Sequence, residues 1–135
     1  MTLLITAAIY AGFAIWLGST PATLLKTFGI ESSTPAMLTE IRAFYGGIEI
    51  GIAVAMLVLW RRKEIFAGLL VGGLPLAGSA IGRCCGLIVD DFSGVHVGLA
   101  VVEALGAAVC FVACYVVNKA IQLDKCNCEM ASKPV

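Results

Sequence analysis

Long apolar runs separated by short polar connections dominate the chain. Four runs approach the roughly 20 residues that cross about 30 Å of hydrocarbon as helix. They lie at 3–18, 41–60, 65–89 and 95–117, and the first is the shortest. The longest connection, 19–40, has its own punctuation. Thr20-Pro21 reads as an N-cap followed by Pro at the first helical position. A short helix over 22–28 then stops at Gly29, and Thr34-Pro35 repeats the device to start the second long helix. Lys26 beside Leu24, Leu25 and Phe28 fits a helix lying in the interface plane. The alternative is an ordered external loop. The pattern therefore predicts an all-α fold, an integral membrane bundle of four transmembrane helices with a short interfacial helix between helices 1 and 2. Residues 1–121 form the transmembrane domain and 122–135 a flexible cytoplasmic tail.

Composition agrees with the lipid bilayer as the chain's first partner. Hydrophobic residues make up 60% and charged residues 13%, with mean hydropathy +0.98. A soluble domain is nearer 25% charged. A formal net charge of zero gives no reason to expect nucleic acid. The opening Met1-Thr2-Leu3 has no basic flank and no small-residue cleavage site follows, so the first run reads as a retained helix. Arg61-Arg62-Lys63 joins runs two and three, Asp90-Asp91 joins runs three and four, and Lys119, Lys125 and Lys133 follow the last run. Basic connections stay cytoplasmic. The expected topology has both termini inside and the Asp90 connection outside. Trp16 and Trp60 stand near run ends, where aromatic belts form.

Glycine spacing predicts close helix contacts. Gly47 and Gly51, Gly68 and Gly72, and the ladder Gly78, Gly82, Gly86 recur at four residues. Small residues at that spacing let backbones approach in lipid. Pro75 removes one backbone donor and predicts a kink near Gly72-Gly73.

Ionisable groups inside the runs carry the functional signal. A charge in hydrocarbon costs about 2.5–3.5 kcal/mol on insertion scales and usually has a purpose. Arg42 and Glu49, Arg83 and Asp90, and His96 and Glu103 each stand seven residues apart, about two helical turns. Counted from the Asp90 side at 1.5 Å per residue, Glu49, Arg83 and Glu103 fall at a common depth of roughly 10–12 Å. Arg83 offers a fork of donors that can satisfy two carboxylates. A buried Glu49/Arg83/Glu103 cluster is expected, with Arg42, Tyr45, Asp90 and His96 as a second tier nearer water. The inner tier is one negative charge in excess, so Arg42, a proton or a cation must settle it. The competing reading is that such a network only fixes helix register.

The run Thr39-Glu40-Ile41-Arg42-Ala43-Phe44-Tyr45-Gly46-Gly47, with Phe28-Gly29-Ile30, Gly82-Arg83, Ser93-Gly94-Val95-His96 and Glu103, resembles a domain-of-unknown-function family. That family consists of small four-helix membrane proteins, largely bacterial and distantly similar to the DoxX group. The resemblance spans roughly 20–117. It implies a four-helix membrane domain with Glu40, Arg42, Tyr45, Glu49, Arg83, His96 and Glu103 at the characteristic polar positions. It brings no activity, and the redox and quinone associations of DoxX relatives are fold-level analogy.

Other chemistry is weak. There is no phosphate loop, and one His builds neither a haem pair nor a three-His site. His96, Asp90 and Glu103 at different depths make a poor cation site. Cys126-Asn127-Cys128 supplies half a tetrahedral zinc site. Cys84, Cys85, Cys110 and Cys114 sit in apolar runs, where thiols pack rather than react. No cofactor, metal or catalytic residue is expected. The leading expectation is a non-catalytic binding module for a small or lipophilic ligand, self-associating or bound to a partner membrane subunit. The alternatives are an assembly subunit of a larger membrane complex and a quinone- or lipid-linked enzyme.

Overall fold

The computed structural model describes residues 1–90 and 93–131, with the backbone alone described for 125–131. Five helices and their connections account for these residues. They are α1 (Thr2–Ser19), α2 (Pro21–Thr27), α3 (Pro35–Arg61), α4 (Ile65–Val89) and α5 (Gly94–Ala131). The fold is all-α, and α1, α3, α4 and α5 are each long and apolar enough to cross a membrane. Four such spans fit a multi-pass membrane protein. Of the tail at 122–135, the helix covers the stretch to Ala131, and 132–135 and Asp91 lie outside the described residues.

Local chemistry sets the helix ends. Thr34 Oγ1 accepts from the Met37 amide at 3.3 Å and Pro35 takes the first helical position of α3. Thr20 departs from expectation. Its hydroxyl donates to the Trp16 carbonyl at 2.8 Å, closing α1 instead of capping α2. The end of α2 is a Schellman motif. Gly29 adopts φ +78°, the Ile30 amide reaches the Leu25 carbonyl at 2.9 Å and the Gly29 amide the Lys26 carbonyl at 3.0 Å. Pro21 and Leu25 are buried while Lys26 is exposed, so this short helix is anchored by one face.

The helices pack mainly as two antiparallel pairs, α1 with α3 and α4 with α5, joined through the α3–α4 hairpin and through α1. Leu3, Ala7, Tyr10, Ala53, Met56, Leu69 and Cys114 form the core, nearer the end that carries Met1 and Arg61. Glycine makes two close approaches there. A Cβ on Gly72 would stand 2.7 Å from Met56 Cε, and one on Gly73 would stand 2.9 Å from Cys110 Cβ. Pro75 lies inside a continuous α4 and denies the Val71 carbonyl its usual amide. The next carbonyl, Gly72, accepts from Tyr10 Oη at 2.8 Å, which ties α1 to α4 at this weakened turn.

Not every glycine pair is a contact. Gly78 and Gly82 meet nothing within 4 Å, and Gly86 meets only the Asp90 carboxylate, at 3.6 Å. The expected Gly78-Gly82-Gly86 ladder is therefore open space rather than a helix interface. Gly51 likewise faces nothing. The backbone contact of α3 falls instead at Gly46, whose Cβ position lies 3.3 Å from Gly18 Cα.

Candidate functional site

Arg83, Glu103 and His96 meet between α4 and α5. Ser79 and Arg83 are one turn apart on α4, and His96 and Glu103 are two turns apart on α5. Arg83 Nε donates to both Glu103 oxygens, at 2.9 and 3.0 Å. Ser79 Oγ donates to Glu103 Oε1 at 2.9 Å. Arg83 Nη1 lies 3.2 Å from His96 Nδ1. A guanidinium only donates, so His96 Nδ1 accepts and the ring N–H belongs on Nε2. Phe28, held by the Schellman turn, stacks on the His96 ring with centroids 4.9 Å apart and planes at 27°. The polar cluster thus has an aromatic cover supplied by the segment between α1 and α3.

Beside this cluster the bundle opens into a cavity of about 620 Å³. Its wall is formed by Phe28, Tyr45 of α3, the α4 face from Ser79 through Arg83 to Asp90, and Ser93 and His96 at the start of α5. Gly82 and Gly86 contribute no side chain, which leaves this space open. Arg83 has five N–H groups and uses two of them, one on Glu103 and one on His96. The others face the cavity, where Tyr45 stands close enough to take one of them.

The expected buried Glu49/Arg83/Glu103 stack is not what forms. The Arg83 and Glu103 side chains keep 14% and 15% of their surface, because the cavity reaches their ion pair. Among the described residues that is the single ion pair, and the second arm of Arg83 goes to His96 rather than to Glu49. Glu49 feels the charge of Glu103, yet its Oε2 is buried without a hydrogen-bond partner among the described residues. Arg42 is exposed and outside the cavity wall. The cause is a π-helical turn over Arg42–Ile48. Bonds from i to i+5 take more residues per turn than the α-helix. Seven residues then no longer return to one face, and Arg42 turns away from Glu49.

Spacing assigns Tyr45, Asp90 and His96 to an outer tier, and the structure puts all three in the cavity wall. His96 joins the inner group through its bond to Arg83. Ser79 and Phe28 escape a reading based on charge. Their signals were present, a hydroxyl one turn before Arg83 and an aromatic residue immediately before the stopping glycine. Cys110 is buried with its Sγ 3.8 Å from Thr6 Oγ1, and Cys114 is buried with its Sγ 3.7 Å from the Phe66 carbonyl. Cys84 and Cys85 are exposed. Among the described residues no three His, Cys, Asp or Glu side chains converge in a way that could hold a metal.

Residues 1–114 match the family model described as Domain of unknown function (DUF4345). No curated protein and no solved structure matches the chain.

Proposed function

We propose that this chain, which belongs to the family described as Domain of unknown function (DUF4345), is a membrane-embedded binding module that takes the polar head of a small or lipophilic ligand. The observation that carries this reading is the cavity of about 620 Å³ beside an arginine that keeps N–H groups beyond those it gives to Glu103 and His96. Ligand pockets commonly span about 300–1,000 Å³ and hold a few placed polar groups among apolar ones. A purely structural ion pair needs no such space. Glu103, Ser79 and His96 hold the guanidinium in place, so its free donors are oriented before a ligand arrives. Gly82 and Gly86 supply room, and Phe28 and Leu87 supply apolar wall. With basic connections on the cytoplasmic side, the cavity opens to the outer leaflet.

The test is recovery of what travels with the protein. Wild type and Arg83→Leu are purified in mild detergent, and native mass spectrometry with lipid extraction compares their bound species. A species present in stoichiometric amount on wild type and lost from Arg83→Leu supports the reading. Identical bound species on both, with both properly inserted, refute it.

A further inference from the structure

Donors from two helices meet around Arg83, while the acceptors beside them are already engaged. Tyr45, carried on the π turn of α3, lines the cavity and stands close enough to Arg83 for its oxygen to take one guanidinium N–H. A guanidinium only donates, so in that contact the phenol oxygen accepts. Its own O–H must then point away from Arg83, and among the described residues no group accepts it. Arg83 keeps further N–H groups beside it. His96 adds a third donor to the same wall, the Nε2–H left by its bond to Arg83. On the acceptor side, both Glu103 oxygens receive Arg83 Nε, and Oε1 also receives Ser79.

Charge narrows the partner further. The guanidinium is paired with Glu103, and Asp90 places a second carboxylate in the cavity wall. One positive charge thus stands against two negative ones. A carboxylate or phosphate head would suit the donors but meet that excess. An ammonium would suit the excess but bring only donors toward Arg83 and Tyr45. A hydroxyl could accept there, yet its own proton would find the Glu103 oxygens engaged. A carbonyl oxygen accepts through two lone pairs, donates nothing and carries no charge. Two lone pairs match an N–H from α4 and an O–H from α3. Phe28 and Leu87 in the same wall suit an apolar body attached to it.

We infer that the cavity binds an uncharged carbonyl compound with an apolar body, its oxygen accepting from Arg83 and Tyr45 together. This rests on the binding-module reading above and adds the ligand's class to it.

The experiment uses five probes with one benzene ring and different heads on the full chain. They are acetophenone, benzoate, benzylamine, sec-phenethyl alcohol and ethylbenzene. Binding is read by equilibrium dialysis in detergent against matched empty micelles, which removes partitioning into the micelle. Wild type should hold acetophenone about tenfold more tightly than each of the other four, the size of one well-made hydrogen bond to a charged donor. Tyr45→Phe keeps the ring and removes the O–H. It should weaken acetophenone several-fold and leave ethylbenzene unchanged. Asp90→Asn, at an exposed position, should strengthen benzoate and leave acetophenone unchanged. A wild-type preference for benzoate, benzylamine or the alcohol, or acetophenone no better than ethylbenzene, overturns the carbonyl assignment. An unchanged acetophenone-to-ethylbenzene ratio in Tyr45→Phe overturns the shared oxygen. Benzoate unmoved by Asp90→Asn overturns the charge argument. No probe binding wild type also overturns the ligand class. The binding-module reading falls separately, only if nothing co-purifies with wild type either.

Discussion

Replacing Gly73 by Ala tests the tightest helix crossing. The added methyl would stand 2.9 Å from Cys110 Cβ and 3.3 Å from Phe111 Cε1. Carbon pairs prefer about 3.5–4.0 Å, so α4 and α5 must separate by several tenths of an ångström. Cys110 Cβ is fixed to its backbone and has no rotamer that relieves the contact. Overpacking of this kind costs about 1–3 kcal/mol. Ala gains back up to about 1 kcal/mol of helix propensity over Gly. The net expectation is a loss of about 0–2 kcal/mol, read as a fall in the thermal midpoint in detergent. Gly72→Ala meets Met56 Cε at a nominally shorter 2.7 Å, but that atom ends a flexible side chain. It should cost less than Gly73→Ala. Gly78→Ala and Gly82→Ala meet nothing within 4 Å and should be neutral or stabilising. A double-mutant cycle isolates the cause. Cys110→Gly should relieve part of the Gly73→Ala penalty, whereas Cys110→Ala, which keeps Cβ, should relieve none. Gly73→Ala as stable as Gly78→Ala would falsify the close-approach account.

Tyr10→Phe removes the 2.8 Å hydrogen bond to the Gly72 carbonyl and should lower stability by about 1 kcal/mol in the same thermal assay. Glu103→Ala strands Arg83 and Ser79 together and should cost about 2 kcal/mol. Adding Arg83→Leu should recover most of that loss, because a removed pair is cheaper than a broken one. Thermal midpoints of the single and double variants decide it. For sidedness, Cys probes at Lys63 and Asp90 in a background without other cysteines should label from opposite faces of the membrane. An impermeant maleimide applied to intact cells should reach Asp90→Cys and not Lys63→Cys. Equal labelling of the two would contradict the proposed orientation.

The four spans were legible because each apolar run is bounded by charge or by turn residues. Thr34-Pro35 and Gly29 marked their boundaries through chemistry that acts locally, a hydroxyl cap and a positive φ. The pairing of Arg83 with Glu103 was within reach of depth counting, since antiparallel helices convert sequence distance from a shared end into height. Counting could not find the π turn at Arg42–Ile48. A span that is apolar on nearly every side has no hydrophobic phase, so one helical turn of different pitch leaves the pattern unchanged. That hidden change is why Arg42 and Glu49 part company. The glycine ladder failed for a related reason. Spacing shows that Gly78, Gly82 and Gly86 share a face but not whether a neighbour or a void lies opposite. Phe28 over His96 needed the path of a connection, which no periodicity encodes.

At 38 residues, α5 runs about 57 Å, nearly twice the thickness of the oily slab it enters. Nearly half of that length is more than the slab needs, and the surplus is a mast. Glu103 and His96 are stepped into the base of the same uninterrupted rod. Between the mast and the clamp on Arg83 the helix has no joint, so a twist or tug at its far end would have no break in which to dissipate.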